Sequence, residues 1–175
     1  KYYINTKDKA DLVIHNGNDA NSSVGVLIEV KSPTNKTEMV SHDKLNVKSF
    51  QELVLYYFRE RKKGKNFELR YLIITNIYQW FIFDAQEFEK LFYQNKDLVK
   101  NFEQFEAKTL SGTKNDFFYK EIAAPEIEKI QKEICYTYFD IRDYDKIVRN
   151  DDKTDDKKLI ALYKFLSPIH LLKLP

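Results

Sequence analysis

Two carboxylates, one ammonium and one amide carry the chemistry this sequence suggests: Asp11, Glu29, Lys31 and Gln51. The tripeptide Glu29-Val30-Lys31 is not distinctive by composition, because Glu-x-Lys also occurs at Glu60 and Glu106. Its setting is. Glu60 falls at the charged end of a helix pattern and Glu106 in a polar segment, whereas Glu29 and Lys31 end the run Val24-Gly25-Val26-Leu27-Ile28, which reads as a core strand. Strand side chains alternate faces, so Glu29 and Lys31 share one side while Val26, Ile28 and Val30 share the other. Two charges on one face of such a strand are costly unless they pair with each other or serve a ligand.

A second strand sharpens the choice. Ala10 to His15 is a short apolar run, and Asn16 to Ser23 is a turn-forming Gly/Asn/Asp/Ser cluster, so the two strands form a hairpin. If the hairpin is symmetric about Ala20, Asp11 faces Glu29, at a Cβ separation of about 4.5–5.5 Å. Facing carboxylates repel each other, and a hard divalent cation, magnesium above all, would relieve that repulsion through oxygen ligands.

The elements that must position these groups follow from periodicity. Pro33 stops the second strand, and a polar stretch runs to Asn46. Val47, Phe50, Val54, Tyr57 and Phe58 recur at spacings of three and four, predicting an amphipathic helix from Val47 to Lys63. Either Asn46 or a Ser49/Glu52 capping box would open it. Gln51 lies about 40° and Phe58 about 20° around the helix from Val47, so the amide falls on the apolar face. Glu68 to Thr75 and Tyr78 to Asp84 read as strands joined by a tight turn at Asn76, and Ala85 to Lys100 as a second helix. Pro125 is expected to open a helix presenting Ile127, Ile130, Ile134 and Tyr138, and a last helix covers Thr154 to Leu166. The fold class is therefore α/β, a mixed central sheet flanked by helices, with residues 1–120 as the α/β unit and 121–175 as a helical extension.

This arrangement and wording resemble the PD-(D/E)XK nuclease superfamily, in particular its branch with a helix glutamine, which includes RecB-like nucleases. Ala10-Asp11-Leu12-Val13-Ile14, Ile28-Glu29-Val30-Lys31-Ser32-Pro33, Phe50-Gln51-Glu52-Leu53-Val54-Leu55-Tyr56-Tyr57 and Ile74-Thr75-Asn76 with Trp80 and Phe83-Asp84 also look like the N-terminal nuclease domain of type IIG restriction-modification enzymes. The resemblance implies a restriction-endonuclease-like fold. It implies that Asp11, Glu29 and the main-chain carbonyl of Val30 hold Mg2+, that Lys31 orients the attacking water or stabilises phosphoryl charge, and that Gln51 supports the site. It further implies double-stranded DNA as substrate, dimerisation for cutting both strands, and a longer chain with methyltransferase and target-recognition domains, the former using S-adenosylmethionine. On that reading Lys1 starts inside the longer chain and Pro175 stops at the edge of the methyltransferase. The sequence departs from the pattern at Ala10, where the superfamily's name has proline, and at Leu55, where RecB-like proteins carry tyrosine four residues after the glutamine. Tyr56 points about 140° from Gln51 and receives no role. The family's upstream helix is also not found.

Composition bounds the alternatives. The 175 residues fit one domain by the usual range of roughly 100–200 residues. Hydrophobic residues at 43% and aromatics at 15% exclude an intrinsically disordered chain. Cys135 is the only cysteine, so there is no internal disulfide and no Cys/His zinc framework, and a reducing cytoplasmic compartment is expected. No phosphate-binding glycine loop is present, and His15, His42 and His170 are scattered. A net charge of +2 is uninformative, but Arg59, Arg61, Lys62, Lys63 and Lys65 crowd one short segment against Glu60, while Asp151, Asp152, Asp155 and Asp156 make a later one acidic. At the end of the helix that carries Gln51, the basic run is expected to meet backbone phosphates. Two other readings stay open: a catalytically silent nucleic-acid-binding or assembly module, and an enzyme acting on RNA or DNA ends.

Overall fold

The computed structural model describes residues 1–143 and 153–173. A six-stranded sheet runs in chain order β1 (Tyr3–Lys7), β2 (Ala10–His15), β3 (Val24–Val30), β4 (Tyr71–Thr75), β5 (Gln79–Asp84) and β6 (Thr137–Asp140). Only the β3/β4 pair is parallel, so the sheet is mixed, as expected for the fold class. The parallel step requires a crossover, which α1 (Lys48–Phe58) supplies. In the β2/β3 hairpin Leu12 pairs with Ile28, Val13 with Leu27 and Ile14 with Val26, the register that symmetry about Ala20 predicts, but an irregularity after Ile14 pairs His15 with Val24 instead of Gly25.

The sheet has a core on each face. On one, Val13, Leu27, Leu72, Phe81 and Phe83 meet Phe50, Leu53, Val54, Tyr57 and Phe58 of α1 and the aromatic residues of α2 (Ala85–Phe88) and α3 (Lys96–Glu106). On the other, Ile14, Val26, Ile73, Ile82 and Phe139 are covered by Leu162, Phe165 and Leu166 of α6 (Lys153–Phe165) and the turn after it, and by Leu171 of α7 (Pro168–Leu171). A Cβ at Gly25 would meet the side-chain ends of Leu172 and Asn16, so this glycine gives both side chains room against β3.

Several expected boundaries move. Helix α1 continues into a wide π-helical turn, Arg59–Lys63, closed by Gly64 N–H donating to the carbonyl of Arg59 at 2.8 Å. Neither expected cap forms: Val47 is the N-cap and contributes no side-chain bond, because Glu52 turns toward Lys31 instead of back to the helix start. The single helix expected over Ala85 to Lys100 is two, since a second π-helical turn, Glu89–Tyr93, ends at Gln94 and Asn95 caps α3 afresh through Asp97 and Leu98 N–H. Pro125 stands in the first turn of its helix, as expected, but it does not start the helical backbone. It lies within continuous helical backbone from α4 (Asn115–Phe117) through the π-helical Phe118–Ala123 to α5 (Ala124–Ile130).

Helix α5 stops before Ile134 and Tyr138, and Tyr138 belongs to β6. The segment after residue 121 is thus not purely helical, because it contributes the sixth strand. Asp151 and Asp152 lie outside the described residues, as do the side chains of Asp155 and Asp156. Among the described residues no helix is long and apolar enough to cross a membrane.

Candidate functional site

The end of β3 holds the only two charged side chains of that strand run, and both turn toward α1. Lys31 N–H donates to the carbonyl of Thr75 at 2.8 Å, which extends the β3/β4 ladder past Val30 and fixes the direction of the Lys31 side chain. Its Nζ lies 2.7 Å from Glu29 Oε1, 2.5 Å from Glu52 Oε2 and 3.9 Å from Glu38 Oε2. The first three side chains are nearly buried, at 10% exposure for Lys31, 4% for Glu29 and 11% for Glu52. Glu38 also binds Lys48 at 3.0 Å, and its carbonyl accepts from Ser49 N–H, so the loop between β3 and α1 is tied to the helix start above the cluster.

Asp11 reaches the same strand end from β2. Its Oδ2 accepts from the Val30 N–H at 2.8 Å while the residue stays exposed. Continued by one residue beyond the Leu12–Ile28 pair, the register sets Asp11 opposite Glu29, and the contact that joins Asp11 to this strand end is the one to the Val30 main chain.

The electrostatics of the patch are unusual for carboxylates. Burial pushes the Glu29 carboxyl up to about 8; the neighbouring Glu52 charge adds to this, and Lys31 only partly opposes it. For Lys31, burial works against charge, yet hydrogen bonds to Glu29 and Glu52 outweigh it and raise the ammonium above its usual range. Glu29 Oε2 is buried and receives no hydrogen bond from a donor among the described residues, while the Glu52 carboxylate lies near enough to accept one from Glu29 in its protonated form. A buried acceptor without a donor costs roughly 1–3 kcal/mol, so a group that fills it from outside is favoured.

Gln51 is not part of this patch. Its Nε2 donates to Asn46 Oδ1 at 3.0 Å, and Asn46 in turn binds the Ala124 carbonyl and Glu128, so the amide secures the helix start against α5. One position further on, Glu52 makes the contact to Lys31, and Tyr56, four residues after Glu52, lies close enough to Glu29 and Glu52 for their charges to raise its phenol. Burial is the larger cause of that rise, and Tyr119 of the π-helical Phe118–Ala123 adds to it. Sequence reasoning missed Glu52, Tyr56 and Tyr119. A signal for them existed: Leu53 to Phe58 is apolar without interruption, which marks a helix buried on all sides, whose polar residues all need partners.

The basic run is largely engaged within the fold. Arg59 pairs with Glu106 at 3.0 Å, Arg61 forms a two-pronged pair with Glu89 at 2.7 and 2.9 Å, Lys62 meets Glu103 at 2.6 Å and Lys63 meets Glu106 at 3.4 Å. These pairs bind the end of α1 to the π-helical turn Glu89–Tyr93 and to α3, and no pairing is seen for Lys65 among the described residues.

Oxygen donors at Asp11, Glu29 and the Val30 carbonyl suit a hard cation such as Mg2+, which binds through one or two carboxylates and retains water. Glu29 Oε2, buried without a donor, is the structural observation that fits such a ligand. Among the described residues no group of three or more His, Cys, Asp or Glu could by itself enclose a metal, so water or substrate oxygens would have to complete the shell.

The profile of one protein family, described as a domain of unknown function (DUF7149), matches residues 1–175. The chain belongs to the DUF7149 family. No curated protein and no solved structure matches it.

Proposed function

We propose that this DUF7149 domain is a divalent-metal-dependent DNA endonuclease with a restriction-endonuclease-like fold, the cleavage module of a restriction-modification enzyme. The observation that carries the reading is the buried Glu29 Oε2 without a donor, set beside Lys31 and across the hairpin from Asp11. Asp11, Glu29 and the Val30 carbonyl would hold Mg2+. Bound there, the ion would lower the pKa of a coordinated water and offset phosphoryl charge. Lys31 supplies a positive charge whose position is fixed from two sides, suited to orienting a water or stabilising negative charge at a phosphate. Glu52 holds that ammonium in place. Gln51 acts at one remove, by securing the start of α1.

A second reading has its own support. Lys31 is already satisfied by two carboxylates, and most of the basic run is paired within the fold, as suits a nucleic-acid-binding or assembly module without turnover.

Incubation of the full chain with supercoiled plasmid and Mg2+ separates the two. The nuclease reading expects nicked and linear products that disappear with a chelator and in Asp11→Ala and Lys31→Ala. Asp11 is exposed, so its variant tests the chemistry without disturbing the core. Cleavage that persists in both variants overturns the site, and salt-dependent DNA binding without cleavage in the wild type favours the silent module.

A further inference from the structure

Arg70 lies at the end of the sheet opposite the Glu29 patch. Its main chain extends β4 by one residue: the N–H donates to the Gly25 carbonyl and the carbonyl accepts from Ala85 N–H, each at 2.8 Å. From Arg70 to Thr75, whose carbonyl binds the Lys31 N–H, an extended strand covers about 16 Å. The backbone is thus fixed, while the side chain is uncommitted. Its Nε is buried without a partner, and the guanidinium makes no hydrogen bond, ion pair or ring contact with any described residue. A guanidinium offers five N–H donors, and buried donors in folded proteins are nearly always met.

A cleft of about 450 Å³ opens beside Arg70, lined also by Phe67, Leu69, Tyr71, Asp84 and Lys173. Glu68 belongs to the same wall, yet neither carboxylate takes up the guanidinium. Glu68 accepts from Ser23 Oγ and Asn16 Nδ2, and Asp84 caps α2 by accepting from Gln86 N–H at 2.8 Å. Lys173 is exposed and makes no ion pair with a described residue. Phe67 is 73% exposed, but its ring is held in place: the Arg61 guanidinium lies 4.1 Å from the ring centroid, and two hydrogen bonds to Glu89 fix Arg61 in turn. A cleft of this size with an apolar wall and a few convergent polar groups is the usual form of a small-molecule site. The planar fork of an arginine with all its donors free selects a carboxylate or a phosphate.

We propose that this cleft is a second ligand site, in which Arg70 grips the carboxylate or phosphate group of a small molecule whose aromatic body lies against Phe67, Leu69 and Tyr71. The site shares no residue with the Glu29 patch and stands apart from the nuclease reading.

Calorimetric titration of the full chain with benzoate, with phenyl phosphate and with inorganic phosphate tests the proposal. Saturable binding of benzoate or phenyl phosphate is expected, and the tighter of the two identifies the oxyanion. Inorganic phosphate, which lacks the body, binds more weakly than phenyl phosphate. Arg70→Met keeps an apolar stem without the donors, so it should bind at least about tenfold more weakly. Its melting temperature is unchanged or higher, because a buried donor without a partner has been removed. Arg70→Lys restores the charge without the fork and recovers only part of the affinity, and Phe67→Ala binds about threefold more weakly. Absence of saturable binding for both aromatic anions overturns the proposal, as does equal affinity of Arg70→Met and wild type.

Discussion

Glu29 is a carboxyl held near neutrality inside the protein, and the consequence is measurable. Its folded-state value of about 8 stands above the ordinary 4.5, with burial as the main cause. Between about pH 4.5 and pH 8 the folded chain keeps a proton that the unfolded chain has released, so the stability from this group falls as pH rises through that window and levels off above it. Glutamine carries no such proton. Chemical denaturation at several pH values from 5 to 9 should show wild type losing stability relative to Glu29→Gln as pH rises, whereas parallel curves would mean that Glu29 titrates normally. Lys31 belongs to the same cluster, with its ammonium 2.7 Å from Glu29 and 2.5 Å from Glu52, and removing it would leave the Glu52 charge without its buried counter-ion.

At the scale of elements, α1 does most of the positioning. Its first turns bring Glu52 to Lys31, and its π-helical end is tied by ion pairs to the Glu89–Tyr93 turn and to α3. Helix α3 depends on its own cap: Asn95 Oδ1 accepts from Asp97 and Leu98 N–H, each at 3.1 Å. Asn95→Ala should cost about 1 kcal/mol in denaturant unfolding while leaving the Glu29 patch intact, and no measurable loss would mean that α3 is held by packing alone. Such breaks explain what the sequence concealed. Apolar spacing runs smoothly from Ala85 to Lys100 and cannot register a π-helical turn followed by a fresh cap. The hairpin register was legible from Leu12 to Ile14 because the turn-forming cluster Asn16 to Ser23 marks the loop and its centre, but the irregularity that pairs His15 with Val24 was not, since apolar residues on both strands carry no signal for it. Edge strands β1 and β6 were not legible either, since Tyr-Ile-Asn-Thr-Lys and Thr-Tyr-Phe-Asp lack the unbroken β-branched run of a buried strand.

Across the whole molecule, the site depends on residues far apart in sequence meeting at one end of a mixed sheet. That Asp11, Glu29 and Lys31 fall near the end of one hairpin could be read from the sequence, because the register runs through Leu12 and Ile28 beside them. Glu52 and Tyr56 could not be read from an apolar stripe, which assumes a helix with one wet face, whereas α1 is enclosed by the sheet and by the Phe118–Ala123 segment. The same enclosure leaves Glu29 Oε2 without a donor, and on that atom the functional account turns. Calorimetric titration of Mg2+ alone into the full chain at pH 7, beside Glu29→Gln, tests it most directly. The account predicts saturable binding by the wild type, with protons released to buffer as the metal displaces the one on Glu29, and no binding by the variant. A wild type that binds no Mg2+, or a Glu29→Gln protein that binds it equally well, would contradict the account.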